Sequence, residues 1–439
     1  MTTQNITLRA ISELRPRSTN ARTHSAKQIE QIAASIQRFE FTNPILIDRD
    51  GGIVAGHGRV EAAKLLGIAE VPTLCLANMS EAEIRAYVIA DNKLAENAGW
   101  DATLLGLELK YLTELDIGFD VTLTGFALPE IDLLIGDLDA AVPPTEDIAP
   151  AVASGPAVTQ PGDVWLIGRH RLICGDATQA LTYQTLMAGQ RAQMVFSDPP
   201  YNVRIDGHVS GNGTLTHREF PMACGEMTAA QFTAFLTAAF TQLVAHAIDG
   251  AIHFQCMDWR HLDEILEAGR AAYSELKNIC VWAKSNGGMG SLYRSQHELV
   301  LVFKAGQAPH INNIELGKHG RNRTNVWHYP GANSLGNADL ALHPTVKPVA
   351  LIADAMRDCS HRNGIIVDPF AGSGSTLVAA QQTGRRGYGI ELDAAYCDVI
   401  IKRMQAVCGL EAVFEPTGQT FDDRRRAIEP ATERTKASA

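Results

Sequence analysis

The sequence predicts an α/β protein in two units: a small front unit of mixed strands and helices, and a larger unit built on a mainly parallel sheet. Three observations carry that expectation. The 439 residues exceed a single ordinary core, at roughly 150 residues per domain. From Gly162 onward, apolar β-branched runs alternate with amphipathic stretches. Between front and back lies the stretch Ala140–Pro161, rich in Pro and Ala and poor in charge, which is the composition of a linker.

Ser25 is placed to cap a helix in which Ile29, Ile32, Ala33 and Ile36 recur at helical spacing, and residues 44–47 then read as a short strand. Asp48-Arg49-Asp50-Gly51-Gly52 has hairpin-turn chemistry before the apolar residues 53–55. Gly56-His57-Gly58-Arg59 opens an Ala-rich helix, a strand follows around residues 73–76, and Ser80 with Glu83 forms a capping box for the next helix. These elements define a front domain over residues 1–100, followed by an acidic helical extension over 101–139 and the linker over 140–160. The second domain is expected over residues 161–415, with strands at 171–174, 193–197, 251–255, 278–282, 299–303, 365–367 and 388–390. Its helices are expected at 228–246, 348–359, 375–383 and 394–407. Residues 416–439, with Asp422-Asp423-Arg424-Arg425-Arg426 and no apolar period, read as a disordered tail.

A hydrophobic share of 46% with 20% charged residues excludes collagen-like, coiled-coil and disordered classes. No apolar run reaches the roughly 18 residues that span a bilayer, and the polar start MTTQNITLRA lacks the core of a signal peptide. A cytoplasmic protein with no membrane partner is expected. The eight cysteines are scattered, which predicts reduced thiols and no metal site. The net charge of −11 is concentrated at the front, where residues 1–160 carry 12 basic and 22 acidic side chains. Residues 284–347 carry seven basic and three acidic side chains, a net +4 on which a polyanion can dock.

Two motifs carry chemistry. In Ile365-Ile366-Val367-Asp368-Pro369-Phe370-Ala371-Gly372-Ser373-Gly374-Ser375-Thr376, a buried strand runs through a glycine turn into a helix, so backbone can approach a ligand at a strand's carboxyl end. A second strand then ends in Glu391, where a carboxylate can hold ribose hydroxyls. The spacing is not the GxGxxG of a nicotinamide site. In Val195-Phe196-Ser197-Asp198-Pro199-Pro200-Tyr201, a strand delivers an acid to the sheet edge and two prolines lock the turn behind it. Prolines donate no amide hydrogen, so the carbonyls of Asp198 and Pro199 are left to accept from a substrate amine. Tyr201 is placed to stack on a flat ring.

The Asp-Pro-Pro-Tyr and Phe-Ala-Gly-Ser-Gly-Ser segments resemble motifs IV and I of S-adenosylmethionine-dependent amino-methyltransferases acting on DNA. Motif IV precedes motif I by about 170 residues, an order that resembles the β class of that family. Asn278-x-x-x-Trp282-x-Lys284, the segment Gly287–Glu298, and His343-Pro344-Thr345-Val346-Lys347-Pro348 resemble the same class, as does Gly175-Asp176-Ala177. The resemblance covers about residues 161–410 and implies a Rossmann-like methyltransferase sheet in permuted motif order, with S-adenosylmethionine as cofactor. It implies that Asp198, Pro199, Pro200 and Tyr201 hold a flipped base. Phe370, Gly372 and Gly374 would surround the methionine part of the cofactor, Glu391 its ribose and Asp176 its adenine, with Asp368 also cofactor-binding and Lys347 a cofactor-side or phosphate group. Asp at the first motif position goes mostly with N6-adenine and Ser with N4-cytosine, so adenine is the expected target and cytosine the alternative.

The front domain resembles the ParB/sulfiredoxin-like fold through Asn20-Ala21-Arg22, Asn43-Pro44-Ile45 and Gly56-His57-Gly58-Arg59-Val60-Glu61-Ala62-Ala63. Gly56 and Arg59 form a candidate phosphate site at a helix start. His57 stands where a sulfiredoxin carries its reactive cysteine, which argues against that chemistry. The acidic composition and the lack of an evident helix-turn-helix argue against a full partition role. The expected function is therefore DNA methylation, with double-stranded DNA as partner, and the rival is a ParB-like adaptor with an inactive transferase half. Lys318, Arg321 and Arg323 are the expected DNA contacts. A homodimer and a cognate restriction nuclease are both compatible with the sequence.

Overall fold

In the computed structural model, which describes residues 5–115, 120–140, 150, 152, 155–203, 225–287, 292–314, 317, 322–331 and 347–436, the chain divides into units Met1–Leu138 and Asp139–Ala439. The first unit orders β1 (Ile6–Ala10), α1 (Ala26–Phe39), β2 (Ile45–Ile47), β3 (Ile53–Ala55), α2 (His57–Leu65), β4 (Glu70–Cys75) and α3 (Glu81–Glu96). Its four-stranded sheet runs β1-β4-β2-β3, with only β2 and β4 parallel. Both expected caps are present: the Ser25 hydroxyl accepts from the Gln28 amide, and Ser80 with Glu83 forms the reciprocal box at α3. The sequence reading missed β1, whose Ile6 and Leu8 are exposed and whose pairing partner lies some 65 residues away.

Beyond residue 100 the unit continues into α4 (Ala102–Glu114) and α5 (Leu128–Ala140). Leu109 of α4 packs with Ile131 and Ile135 of α5 and with Val121 between them, a second small core inside the front unit. The Asp101 carboxylate caps α4 by accepting from the Thr103 and Leu104 amides.

The second unit holds β5 (Val164–Ile167), β6 (His170–Cys174), α6 (Ala180–Met187), β7 (Ala192–Ser197), α7 (Ala229–Ala245), β8 (Ala247–Met257), α8 (Leu262–Ala272), β9 (Glu275–Ala283) and β10 (His297–Lys304). It continues with β11 (Val326–His328), α9 (Val349–Cys359), β12 (Ile365–Asp368), α10 (Ser375–Gln382), β13 (Arg386–Glu391), α11 (Ala394–Cys408), β14 (Ala412–Phe414) and α12 (Phe421–Lys436). Ten strands form one sheet in the order β11-β9-β10-β8-β7-β12-β13-β6-β5-β14. The centre, β8-β7-β12-β13-β6, is parallel, and antiparallel strands flank it on both sides, so the sheet is mixed.

Strand alternation sorts the core into two faces. Val195, Ile365 and Val367 join α6, α7 and α8, while Met194, Phe196 and Ile366 join α9 and α10. From β7 the chain proceeds through α7 to β8 on one side, and from β12 through α10 to β13 on the other. The adjacent pair β7 and β12 is therefore a topological switch point, where a crevice opens at the carboxyl ends of the strands.

The carboxyl-terminal stretch departs from the expected disorder. Phe421 at the start of α12 is fully buried against Trp165, and Arg424 lies 3.9 Å from the Phe414 ring centroid while pairing with Asp163 at 3.0 Å. The helix reads as unstructured in sequence because its main anchor, Phe421, packs on Trp165 some 250 positions earlier.

Candidate functional site

β7 ends at the fully buried Ser197, and the next residue, Asp198, enters the turn stiffened by Pro199 and Pro200. The Asp198 carboxylate is held at both oxygens. Tyr201 Oη donates to Oδ1 at 2.7 Å, and Lys347 Nζ donates to Oδ2 at 2.7 Å. The three protons of Lys347 face three acceptors, for Nζ also lies 3.1 Å from Tyr201 Oη and 2.8 Å from Glu298 Oε2. Glu298 in turn accepts from Lys284 Nζ at 2.5 Å. Trp282 covers both ammoniums, with Lys284 at 4.6 Å and Lys347 at 5.6 Å from its ring.

Two carboxylates and two ammoniums thus form a neutral cluster in a place from which water is largely excluded. Burial pushes the Glu298 carboxyl up, but the Lys347 and Lys284 charges outweigh it and hold Glu298 at about 2. Burial pushes Lys347 down, and Asp198 and Glu298 more than offset this, so it stays well above the ordinary lysine range. Asp198 differs: burial raises it, Lys347 offsets this only in part, and Glu298 raises it further. It is the member of the cluster that takes up a proton most readily.

Neighbouring positions fix the turn. Asn202, at φ +52°, donates to the Met227 carbonyl at 2.8 Å and accepts from the Gly225 and Met227 amides at 3.1 and 3.2 Å, tying the segment after Tyr201 to the approach of α7.

On the other side of the switch point, β12 ends at Asp368, which accepts from the Phe370 amide at 3.1 Å and from the Thr376 hydroxyl at 2.5 Å. Burial raises Asp368 to about 7. Gly374 sits at φ +84°, and a Cβ there would come 2.9 Å from Ile400, so both backbone conformation and space demand glycine. Beneath this loop, the buried Arg403 of α11 donates to the Ser373 carbonyl at 3.0 Å and to the Ser373 and Ser375 hydroxyls at 3.1 Å. Glu391, at the end of β13, accepts from the Gly372 amide at 2.8 Å and from the Asp393 amide at 2.9 Å, and burial raises it to about 7. Asp176 follows β6, whose Cys174 pairs with Glu391, and its Oδ1 accepts from the Thr178 amide and hydroxyl, both at 2.8 Å. Asp176, Glu391, Gly372, Gly374, Asp368 and Phe370 therefore gather at the carboxyl ends of three adjacent strands, beside the Asp198 turn on the fourth.

Other sequence expectations fare differently. Lys347 faces the Asp198 pocket and its acids. Arg323 is spent inside the fold, with Asp358 and Asp354 each 3.1 Å away and Tyr329 at 3.2 Å, which pins its loop to α9. Lys318 and Arg321 lie outside the described residues, as do 288–291 and 343–346. Gly56 caps α2 at φ +104°, but the Arg59 guanidinium donates to the Asn43 and Pro44 carbonyls at 2.9 and 3.1 Å, so it serves the fold where a phosphate contact was expected. Sequence reasoning assigned no role to Lys284 or Glu298. The available signal was a charge at the end of each of two apolar strands, Val281-Trp282-Ala283-Lys284 and Glu298-Leu299-Val300-Leu301.

Residues 192–403 match the DNA methylase family, residues 103–161 a ParB-methyltransferase HTH domain, and residues 1–92 the ParB N-terminal domain. The chain carries an N6/N4 DNA methylase domain together with a ParB front domain. The HTH match corrects the expectation that no such module is present. Its helices were read as an acidic extension because recognition depends on how α4 and α5 pack, and their composition shows no basic stripe. The ParB-like nuclease domain-containing protein YnaK of Escherichia coli is 47% identical over 76 residues, covering 17% of this chain and 87% of that one. The type II methyltransferase M.HpaI of Haemophilus parainfluenzae is 24% identical over 252 residues, covering 54% and 74%. Among solved structures, the M1.HpyAVI–SAM complex matches with a TM-score of 0.39 at 18% identity, covering 53% of this chain and 98% of that one.

Methyltransferases of this family use S-adenosylmethionine, and the residues at the glycine loop suit it. Glu391 presents a half-buried carboxylate whose oxygens each keep a lone pair beyond the amide they accept from, which is what a vicinal diol requires. Among the described residues, no helix is long and apolar enough to cross a membrane.

Proposed function

We propose that the chain methylates N6 of adenine in double-stranded DNA, acting on a base turned out of the duplex into the pocket of Asp198, Pro199, Pro200 and Tyr201. The observation that carries this reading is the Asp198 carboxylate, gripped by Lys347 and Tyr201 one strand away from the glycine loop. When bound, S-adenosylmethionine supplies a methyl group already activated on a sulfonium. Asp368, Phe370, Gly372 and Gly374 would hold its methionine part, Glu391 its ribose and Asp176 its adenine.

The chain's own contribution is alignment and electrostatics. The amine of adenine is a poor nucleophile because its lone pair is delocalised into the ring. The Asp198 carboxylate and the Pro199 carbonyl accept its hydrogens and localise that pair, while the Tyr201 ring stacks on the base. Lys347 holds Asp198 ionised until the methylated amine sheds its proton, for which this carboxylate is the nearest acceptor. Acid at the first position supports adenine over cytosine. The front unit, with its ParB and HTH matches, positions DNA and takes no part in the chemistry. This work belongs with the genome in the cytoplasm, with or without a cognate nuclease, and a homodimer is compatible with it.

The test is expression in a host without DNA methylation, followed by sequencing with modification detection and mass spectrometry of nucleosides. N6-methyladenine at a defined site is the expected result. N4-methylcytosine alone would overturn the base assignment, and no methylation would overturn the activity.

A further inference from the structure

The neutral cluster at Asp198 leaves no cation for the phosphate backbone, and Arg323 is engaged by Asp354 and Asp358. Another surface at the same sheet edge fits a duplex. β10 runs antiparallel to β8, so the residues entering β10 lie beside the carboxyl end of β8, next to that of β7. There Leu292 and Tyr293 are 84% and 85% exposed, and Trp259 just past β8 is 53% exposed. Large apolar side chains this exposed, two of them consecutive, mark a contact surface.

The segment is braced against the base pocket. Trp259 Nε1 donates to Ser295 Oγ at 3.0 Å, and Arg294 donates to the Gly287 carbonyl at 2.8 Å. The Lys284 amide donates to the Gln296 carbonyl at 2.9 Å, and two residues further on Glu298 meets Tyr201 at 3.1 Å. Arg260 flanks the patch. It is half-exposed and uses one N–H toward Asp258, leaving other donors of its guanidinium for a phosphate.

We infer that Leu292 and Tyr293 enter the duplex at the gap left by the extruded base, with Trp259 bracing them and Arg260 on the adjacent phosphate. The inference rests on the base-flipping reading above and names the surface that makes flipping affordable. A base that leaves the stack costs its neighbours their stacking, and an apolar or aromatic side chain in the gap restores part of it. Occupancy by duplex DNA is favoured by continuity with the base pocket and by the cations Arg260 and Arg294 beside the exposed apolar pair.

The test uses the full-length Leu292→Ala/Tyr293→Ala double variant and duplexes carrying the mapped methylation site, with the target adenine correctly paired or facing a mismatch, and a third duplex with 2-aminopurine at the target. Loss of stacking at the gap predicts that kcat/KM on the paired duplex falls about tenfold or more, with a smaller 2-aminopurine fluorescence rise. On the mismatched duplex, where unpairing is already achieved, the variant should come within about threefold of wild type. An unchanged rate on the paired duplex overturns the inference, and so does an equal loss on both, which would make the patch a plain surface contact. A wild-type chain that methylates neither duplex instead removes the reading on which the inference rests.

Discussion

Glu298→Gln removes one negative charge from the cluster while keeping its shape, and its single carbonyl oxygen can still accept from Lys347 while the amide nitrogen no longer accepts from Lys284. In the wild-type chain, Lys347 Nζ stands 2.7 Å from Asp198 Oδ2 and 2.8 Å from Glu298 Oε2, so these two oxygens are at most about 5.5 Å apart. At an effective dielectric constant of about 20, unit charges at that separation repel by about 3 kcal/mol, or about two pH units. The groups facing Asp198 are Lys347, Tyr201, Glu298, Cys256 and, across the crevice, Asp368. Of these, Glu298 raises Asp198 and Lys347 lowers it. On the proposed mechanism an ionised Asp198 is required, so activity is present above its pKa and is lost as pH falls through it. Removing the Glu298 charge lowers that pKa, and the acidic limb of the kcat profile should move down by about two units. Stopped-time methylation with tritiated S-adenosylmethionine and saturating DNA across pH 4.5–9 reads the limb directly, and calorimetry should show cofactor affinity unchanged. A limb that stays in place or moves upward would refute the idea that Glu298 sets the charge state of Asp198.

Further outcomes follow from the same geometry. Asp198→Ala should reduce turnover by roughly a hundredfold or more, with cofactor binding by calorimetry largely spared, since the carboxylate serves the amine. Glu391→Ala should weaken S-adenosylmethionine by about 1.5–3 kcal/mol. Because burial raises Glu391 to about 7, and its ionised form is the better acceptor, wild-type cofactor affinity should rise as pH increases through that value, and a flat titration would contradict the assignment. Arg323→Ala should cost about 3 kcal/mol of stability by removing the guanidinium that Asp354 and the buried Asp358 share, seen as a melting transition of the second unit lowered by about 5–10 °C, in place of the uniform loss of DNA affinity expected of a phosphate contact. A chain beginning at Gly155, which keeps the Val158 and Thr159 amides on Asp398, should still methylate short duplexes at saturating concentration. Complete loss of turnover in a folded, cofactor-binding truncation would show that the front unit completes the active site.

Local chemistry was legible in the sequence. The capping boxes at Ser80 and Thr228 close over three residues, and each expected strand of the second unit is present, because β-branched runs and caps act within a few positions. The strand-turn elements that carry Asp198 and Gly372 were legible for the same reason: a buried strand, a proline or glycine turn and the next element are contiguous. What only the tertiary structure decided is which of these ends meet. Lys347 touches Asp198 across 149 positions, and Tyr201 meets Glu298 across 97, because β10 runs antiparallel to β8 and the start of α9 lies over the switch point. Burial then fixes their charges, since the same lysine that reads as a phosphate contact in isolation becomes, once desolvated between two carboxylates, their common counter-ion. Arg323 turned from expected DNA contact to internal anchor by the same route, through Asp354 and Asp358 on a helix some 30 residues away. Residue type and spacing determine the chemistry on offer, whereas strand order and desolvation, which depend on contacts far apart in the chain, determine where it is used.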